Sequence, residues 1–416
     1  MKIGFYFECS TKSGGVYQYA LNLLEALREI REHPVTVFNI SPDFPFNDFN
    51  LPNWQIVNLT AIKKSETVDR REQIRRETFK RKLTVFVLNW IRKMRLYRLE
   101  IFLERRNAIK RARHFIENGI DLMVFHGPSE LSFLTKIPSI VPIHDLEHRR
   151  HSEFPELRRD GQWQKREYLY NHIKKSAWRI LVDSEIGKRD VIEFYGVEPS
   201  RIEVVPFLPP SYLNPAVNAE RQNETRKKYD LPEKFIFYPA QFWPHKNHLN
   251  LVKAIAVLKT QGLAVPAVFV GGKQEGWSAY GKVMEFVRKN ALEKQVKFLG
   301  FVDGDEMSAL YKMATALVMP TFLGPTNIPV YEAWGMDCPV LYSDIRGPRE
   351  QAGPAALLFD PYNPESIAEK IKEIWNNEPL RQDLIARGHA RLGAWTRADF
   401  YAKIKALIGE FAAHNG

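Results

Sequence analysis

The fold of this chain is decided by the stretch Pro320–Val340, PTFLGPTNIPVYEAWGMDCPV. An apolar run at residues 314–319 precedes it and is predicted to be a buried strand. Gly324–Asn327 is typical of a turn that exposes backbone N–H groups, and a helix is predicted to follow at residues 328–336. In an open parallel sheet, such a loop and helix N-terminus form a crevice that favours an anion, typically a phosphate. Taken alone, an ordinary strand–helix–strand connection with a proline-rich turn explains the stretch equally well.

Strands and helices alternate along both halves of the chain. The first half opens with a predicted strand at residues 2–7, a Gly14-Gly15 turn and a helix, and the second half restarts the same order at residue 235. This alternation predicts an α/β fold with two doubly wound, Rossmann-like parallel sheets, each covered on both faces. Residues 207–223 are rich in proline and asparagine and show no period, so they are predicted to mark the domain boundary.

The composition fits a two-domain protein of a reducing compartment. The chain has 416 residues, 44% of them hydrophobic, which is enough for two sizeable cores. Its two cysteines, Cys9 and Cys338, are far apart in sequence, so no disulfide framework is expected. The start, MKIGFYFECS, predicts a strand and not a signal peptide, and no apolar run approaches the ~20 residues that span a bilayer. We therefore expect a cytoplasmic protein.

One segment carries the positive charge of the chain. Residues 61–113 hold 18 lysines and arginines and 6 acidic residues, while the whole chain has a net charge of +11. The remainder is therefore nearly neutral, and the excess describes one surface. Within this basic insert, apolar residues repeat at helical spacing from Leu83 to Ile101, with Trp90 and Tyr97 among them and Arg92 beside them.

Three kinds of surroundings explain such a basic helix. A helix with basic residues and aromatic anchors lies in the interface of an anionic membrane, where each basic residue adds about 1 kcal/mol. Alternatively, the helix packs its apolar stripe on the N-terminal domain and leaves its charge in water. Nucleic acid ranks last, because no nucleic-acid motif or pattern of stacking aromatic residues surrounds the insert. We favour the membrane, which predicts a peripheral protein on the inner face of a membrane.

Four loops at strand ends hold the candidate binding residues, two from each half of the chain: Gly14-Gly15, His144-Asp145, Gln241–Lys246 and Gly324–Glu332. If the two halves face each other, all four loops point into one interdomain cleft, where ligands usually bind. Each loop also has a structural explanation, since a Gly-Gly pair makes a plain tight turn and a lone histidine is often a structural hydrogen-bonding group. Lys246 holds a diphosphate as a point charge or is a solvated loop lysine.

The chain resembles the retaining glycosyltransferases of family 4, whose two Rossmann-like domains face each other across a cleft in the GT-B fold. The resemblance rests on the opening stretch and on three further segments: IHDLEHRRHSEFPE, PAQFWPHKNH and ILVDSEIGKRDVIEFYGVEPSRIEVVP. The family's usual donor motif is a glutamate, seven residues and a second glutamate. Glu332 matches the second glutamate, whereas Gly324 stands at the position of the first. The chain is similar to a subgroup that carries Gly-Pro-Thr-Asn at this point.

The resemblance implies a role for each cleft residue. Lys246 matches the lysine that neutralises the phosphates of the leaving nucleotide, and Gln241 stands where the family has an arginine. His144 would face the donor sugar, and Glu332 would accept hydrogen bonds from the ribose hydroxyls. Asp145 would orient His144 or position the acceptor.

Further residues are implied by the same resemblance. Arg149 would line the acceptor side, although a solvated loop is the explanation we favour for it. Backbone contacts with the donor are implied for Gly14 and Gly15 in the first half and for Gly324, Pro325, Thr326, Asn327 and Ile328 in the second. Of these, Thr326, Asn327 and Ile328 would present their amides to the donor sugar and the β-phosphate.

The implied reaction is glycosyl transfer with retention, from a UDP-sugar or GDP-sugar to a glycan or lipid-linked acceptor in surface polysaccharide or lipopolysaccharide assembly. No cofactor and no metal are expected, because the chain has no Asp-x-Asp motif and protein groups would neutralise the diphosphate. In the family, the last helix, residues 394–416 here, crosses back to the first domain. The alternative is a catalytically weak membrane-surface binding protein on a degenerate GT-B scaffold, which Gly324 and Gln241 favour.

Overall fold

The computed structural model of the chain describes residues 1–11, 14–59, 94, 97–272 and 278–415. Most of the predicted apolar face between Leu83 and Ile101 lies outside the described residues. No helix of the described part is both long enough and apolar enough to cross a membrane.

The first half contains a parallel sheet of seven strands in the order β3-β2-β1-β4-β5-β6-β7. Its strands are β1 Ile3–Phe7, β2 Val35–Asn39, β3 Trp54–Asn58, β4 Leu122–Phe125, β5 Ser139–Pro142, β6 Arg179–Val182 and β7 Ile202–Val204. Its helices are α1 Gly15–Arg28, α2 Tyr97–Glu117, α3 Leu131–Leu134, α4 Glu147–Arg150, α5 Pro155–Arg158, α6 Gln162–Ser176 and α7 Glu185–Tyr195.

The second half contains a parallel sheet of six strands in the order β10-β9-β8-β11-β12-β13. Its strands are β8 Ile236–Pro239, β9 Ala267–Val270, β10 Val296–Phe298, β11 Ala316–Met319, β12 Val340–Ser343 and β13 Leu357–Phe359. Its helices are α8 Ala219–Lys228, α9 His248–Thr260, α10 Tyr280–Lys289, α11 Gly304–Met313, α12 Ile328–Gly335, α13 Arg346–Ala352, α14 Pro364–Trp375, α15 Glu378–Gly393 and α16 Arg397–Asn415.

Local sequence explains where these elements begin and end. The central strands β1, β4 and β11 are buried along their whole length, as expected of a parallel sheet covered by helices on both faces. Helix α7 begins where the Ser184 side chain accepts a hydrogen bond from the Gly187 N–H, at 3.0 Å. It ends at Gly196, whose φ of +61° is a left-handed conformation that glycine adopts without strain.

The last helix, α16, packs on the first sheet's core. Phe400, Ile404 and Ile408 on this helix are buried together with residues of α1 and β1. Just before it, the Trp395 indole N–H donates a hydrogen bond of 3.0 Å to the Pro206 carbonyl. The chain therefore returns from the second half to the first.

One predicted irregular segment is shorter than expected. Residues 207–223 were predicted to lack a period, but α8 begins within this segment at Ala219. The Asn218 side chain caps the helix by accepting a hydrogen bond from the Arg221 N–H, at 2.9 Å. Only Thr225 of this helix is buried, so its sequence lacks the apolar stripe from which a helix is predicted.

Candidate active site

A cavity of about 380 Å³ opens between the two halves of the molecule. It joins the carboxyl ends of strands from the second sheet with the N-terminus of α1, the arrangement in which α/β proteins bind ligands. Five predicted site residues line it: Gly14, Gly15, Gln241, Ile328 and Glu332. Residues that were not predicted also line it, among them Tyr17, Tyr212, Gly271, Gly272, Phe301 and Met307.

Bare backbone forms part of the cavity wall. Gly14 has a φ of +56° at the start of α1, and a Cβ on Gly15 would overlap the Ile328 side chain from the opposite half. Gly271 has a φ of +152°, and a Cβ there would overlap the Ala240 carbonyl. Glycine at position 15 lets the two halves approach closely, and the glycines together leave backbone open to a ligand.

Glu332 on α12 is buried, with 6% of its surface exposed, at the wall of the cavity. The Tyr212 hydroxyl donates to Glu332 Oε1 at 2.6 Å, and the Tyr311 hydroxyl donates to Oε2. Burial raises the pKa of Glu332 above its ordinary value, while both tyrosine hydrogen bonds favour the carboxylate. The carboxylate is therefore held in one orientation before any ligand arrives.

Gln241 follows β8 and is exposed at the cavity rim. Its Oε1 accepts a hydrogen bond from the Trp243 indole N–H, at 2.8 Å. This bond fixes the amide plane, and an amide N–H₂ group supplies donors without charge.

Lys246 ends the short 3-10 turn Pro244–Lys246 after β8, and its Nζ donates to Asn327 Oδ1 at 3.0 Å. Burial lowers the pKa of this lysine to about 8, although the negative charges of Asp145 and Glu147 act in the opposite direction. The ammonium group thus lies at the loop of α12 with only partial compensation of its charge. Within the described ranges, no three His, Cys, Asp or Glu side chains converge as a metal site requires.

The Asn327 amide, which is predicted to face a donor, makes hydrogen bonds within the second half. Its backbone N–H donates to Gln351 Oε1 at 2.9 Å, and its carbonyl accepts from Gln351 Nε2 at the same distance. Its side-chain Nδ2 donates to the Tyr342 hydroxyl at 2.6 Å. Asn327 therefore anchors the loop to α13 and β12, and it offers its Oδ1 to Lys246.

The rest of the 324–327 loop contacts the first half. The Gly324 N–H donates to Glu147 Oε1 at 3.2 Å, and the Thr326 hydroxyl donates to Asp183 Oδ2. Pro325 is buried. Burial raises the pKa of Asp183 to about 7 and is also the largest cause that raises the pKa of Glu147 to about 7. Neither acid was a predicted site residue, because both lie more than 140 positions away from the loop they contact.

His144 lies half-buried at the end of β5, close to α1. Its Nε2 donates to the His126 carbonyl at 3.0 Å, and its ring meets Tyr19 edge-on at a centroid distance of 4.9 Å. Burial lowers the pKa of His144 below its ordinary value, so the imidazole is neutral near pH 7. A neutral ring fixed by these contacts is an oriented polar group on the first-half side of the cleft.

Asp145 and Arg149 are both held in ion pairs with α6. Arg166 donates to Asp145 Oδ1 at 2.7 Å. Burial opposes ionisation of Asp145, but Arg166 outweighs it and the pKa of Asp145 is lowered. Arg149 is exposed, donates to Glu167 Oε1 at 2.6 Å and covers the Tyr195 ring, and it does not line the cavity.

Comparison with known proteins places both halves among glycosyltransferases. The family model described as Glycosyltransferase Family 4 matches residues 13–207, and the model described as Glycosyl transferases group 1 matches residues 221–391. Together these two models cover most of the chain.

One curated relative and two solved structures are informative. The O-antigen chain mannosyltransferase B of Escherichia coli is 24% identical over 272 residues, which is 64% of this chain and 69% of the relative. The structure of WaaG, a glycosyltransferase involved in lipopolysaccharide biosynthesis, is similar with a TM-score of 0.64 at 15% identity, over 96% of this chain and 98% of WaaG. Anabaena HepE in complex with UDP-glucose has a TM-score of 0.66 at 15% identity, over 99% of this chain and 100% of HepE. These structures confirm the predicted α/β GT-B fold.

Proposed function

Because the chain belongs to the family 4 and group 1 glycosyltransferases and has the GT-B fold, we propose that it transfers a sugar with retention from a UDP-sugar or GDP-sugar. The observation that carries the proposal is the cavity of about 380 Å³ with Gly15 on one wall and Glu332 on the other. In this proposal, residues 1–206 form the acceptor-side domain and residues 207–393 bind the donor nucleotide. Residues 394–416 return to the first domain.

The nucleotide fills the cavity, with its ribose against Glu332. A carboxylate has about four lone-pair sites, so Glu332 keeps its hydrogen bonds from Tyr212 and Tyr311 and still accepts from ribose hydroxyls. The two tyrosines hold the carboxylate in place, and the bare backbone at Gly14 and Gly15 lets the phosphates approach closely.

The diphosphate leaves against Lys246. This ammonium lies beside the N-terminus of α12, and the helix dipole also favours negative charge there. Gln241 adds a hydrogen-bond donor without charge, so Lys246 carries the larger share of the stabilisation.

The sugar points toward the first half, where His144 is fixed as a neutral polar group. The acceptor hydroxyl approaches from the side of Asp145 and attacks on the same face from which the nucleotide leaves, with the leaving phosphate taking the proton. A glycan or lipid-linked acceptor in surface polysaccharide assembly is supported by the O-antigen and lipopolysaccharide names of the relatives.

The test is thermal stabilisation with UDP, GDP, UDP-glucose and GDP-mannose, followed by transfer or hydrolysis of the sugar nucleotide that binds. A ligand at 100 times its Kd that binds only the folded protein adds about 2.7 kcal/mol, which a melting curve resolves. We expect one nucleotide base to stabilise the wild type but not Lys246→Met. The control is Lys289→Met on α10, an exposed lysine paired with Glu285, which keeps the response. If none of the four ligands stabilises a folded sample, the proposal fails and the weak membrane-binding alternative is preferred.

Peripheral attachment to the cytoplasmic face of a membrane is also part of the proposal. Phe102, Ile109 and Ile116 on α2 follow each other at seven-residue spacing and are 60%, 39% and 61% exposed. Exposed basic residues, Arg105 and Arg106 among them, flank this ridge. An apolar ridge with basic neighbours matches an anionic lipid surface.

Vesicle sedimentation tests this attachment. Reversing the charge in Arg105→Glu/Arg106→Glu is expected to weaken binding to phosphatidylserine vesicles about 30-fold or more, from about 1 kcal/mol per basic residue. The charge-matched control, Arg288→Glu/Lys289→Glu on α10, is expected to bind like the wild type. Equal binding by all three proteins, or equal binding to neutral vesicles, refutes the attachment through α2.

A further inference from the structure

Glu147, at the first turn of α4, reaches from the first half of the molecule to the 324–327 loop of the second. Only 8% of its surface is exposed, so its carboxylate is removed from water. One oxygen, Oε1, accepts the Gly324 N–H at 3.2 Å. The other oxygen, Oε2, is buried and accepts no hydrogen bond from the part of the chain that the structure describes. His151 Nε2 lies 3.6 Å from Oε2, beyond hydrogen-bond length.

A buried carboxylate oxygen without a donor is costly. Leaving a buried polar group unsatisfied costs about 1–3 kcal/mol, and more when the group is charged. The neighbouring acid, Asp145, does have hydrogen-bond donors. It accepts from Arg166 at 2.7 Å and from the Glu147 N–H at 3.2 Å. Glu147 Oε2 is therefore a buried acceptor that no donor of the described residues satisfies.

The loop that Glu147 contacts cannot supply a carboxylate of its own at position 324. Gly324 has a φ of +121°, a conformation that side-chain-bearing residues rarely adopt, and a Cβ there would lie 2.9 Å from Asn327 Nδ2. The backbone conformation at position 324 therefore disfavours the glutamate that the Glu-x7-Glu pattern has there. Glu147 brings a carboxylate to the same loop from the opposite domain.

The charge around Glu147 determines what the missing donor is. Asp145 and Glu147 both act on Lys246 electrostatically, so two acids stand near its ammonium group. A phosphate would be repelled by Glu147, whereas a sugar hydroxyl donates a hydrogen bond without bringing negative charge. A diphosphate on Lys246 and a sugar beside Glu147 are therefore compatible neighbours.

We propose that Glu147 Oε2 accepts a hydrogen bond from a hydroxyl of the transferred sugar and thereby selects among donor sugars. The inference rests on the proposed glycosyl transfer and adds a binding residue from the acceptor-side domain. Hydroxyl recognition of this kind discriminates strongly, because a donor without that hydroxyl leaves the buried acceptor unpaired.

The experiment compares wild type, Glu147→Gln and Glu147→Ala with the donor identified by the ligand panel and with its 2-, 3-, 4- and 6-deoxy-sugar analogues. Glutamine keeps an acceptor for the Gly324 N–H and places an amide N–H₂ group where Oε2 stands. Glu153→Gln is the matched control, since this glutamate lies in the same segment with its side chain 59% exposed. Affinity for UDP or GDP alone and kcat/KM for the complete donor are measured on each protein, with a melting curve to verify folding.

We expect Glu147→Gln to bind the nucleoside diphosphate within about twofold of wild type and to lose about tenfold or more in kcat/KM. For one deoxy-sugar donor, kcat/KM of the wild type should be low and equal to that of Glu147→Gln. The hydroxyl missing from that donor is then the one that Glu147 binds. If wild type transfers sugar and Glu147→Gln keeps its rate and its discrimination, the inference is wrong while the proposed function stands. An equal loss of nucleotide binding also overturns it, since Glu147 then only supports the loop. If wild type neither binds nor transfers, the proposed function itself fails.

Discussion

Replacing Lys246 by methionine is expected to make the empty protein more stable while it removes binding of the donor. Methionine keeps the length and apolar stem of lysine without its charge. The ammonium is buried in the cleft, and its pKa is lowered from its ordinary value of 10.5 to about 8. Such a lowering means that the charged form is destabilised by folding.

The magnitude follows from that pKa. A lysine held near 8 destabilises the fold at neutral pH by about 3 kcal/mol, at about 1.4 kcal/mol per pH unit. Methionine removes this penalty, but it leaves the buried Asn327 Oδ1 without its donor, which costs about 1–3 kcal/mol. The net expectation is a gain of about 1 kcal/mol, or about 1 °C in Tm for a chain of 416 residues.

The assay is a set of melting curves of wild type and Lys246→Met between pH 6.5 and 10. Below pH 8 the folded lysine is charged at a cost, so the gain of the variant is fully present. Between pH 8 and 10.5 the folded wild type loses the proton that the unfolded chain keeps, so the wild type gains stability relative to the variant. Because the wild type regains about 3 kcal/mol and the net advantage of the variant is only about 1 kcal/mol, the two melting curves should cross as the pH rises. Lys289→Met on exposed α10 serves as the control and should stay within about 0.5 kcal/mol of wild type at every pH.

Two results would refute this reasoning. A variant that melts well below wild type at pH 7 shows that the bond to Asn327 outweighs the burial of the charge. A variant that is stabilised by the same nucleoside diphosphate as wild type shows that Lys246 does not hold the phosphates. The first result leaves the proposed role intact, whereas the second removes it.

Two further perturbations address the walls of the cavity. Gly15→Ala should weaken nucleotide binding several-fold, because the added methyl group meets Ile328. The control is Gly281→Ala on α10, where the added methyl group has nothing within 4 Å and should raise stability by up to about 1 kcal/mol. Equal nucleotide affinity of both variants, measured by calorimetry, would contradict this prediction. Tyr311→Phe should lower the free energy of unfolding in urea by about 1–3 kcal/mol, because Glu332 Oε2 loses its donor in a buried site; an unchanged urea midpoint would show that this hydrogen bond contributes nothing.

The fold and part of the candidate site follow from local sequence patterns. The alternation of apolar runs with turn residues predicted both parallel sheets, because the central strands are buried along their length. The rule that ligands bind at the carboxyl ends of parallel strands grouped Gly14, Gly15, Gln241 and Glu332, which line one cavity. Their roles in donor binding stay predictions, since position alone does not identify a ligand.

The remaining parts of the site depend on contacts between residues that are distant in sequence. Tyr212 lies 120 positions from Glu332, in a segment without hydrophobic periodicity. No local sequence pattern predicts that the Tyr212 hydroxyl donates to the Glu332 carboxylate. Gln351 lies 24 positions after Asn327, and its side chain accepts the hydrogen bond of the Asn327 amide. Both pairings join segments of the second half that are distant in sequence, so local sequence patterns do not predict them.

Burial opposes the charges of both Lys246 and Glu147, and the effects of the two groups on stability should depend on pH in opposite ways. Burial lowers the pKa of Lys246, and it raises the pKa of Glu147. The gain from Lys246→Met is therefore complete at low pH and lost above pH 8. Any gain from Glu147→Gln is absent below the ordinary pKa of a glutamate, near 4.5, and grows as the pH rises toward 7, because only the unfolded chain releases its proton there.

Melting curves of wild type, Lys246→Met and Glu147→Gln between pH 4.5 and 10 measure how the stability change of each variant depends on pH. A site that is built for an anionic diphosphate beside a neutral sugar needs a cation and a hydrogen-bond acceptor, each left incompletely paired until the donor binds. Parallel pH profiles for the two variants would contradict that view, because they would show that the two groups satisfy each other in the empty cleft. Opposite profiles, with loss of nucleotide affinity in one variant and of sugar discrimination in the other, would assign the two ends of the donor to two different domains.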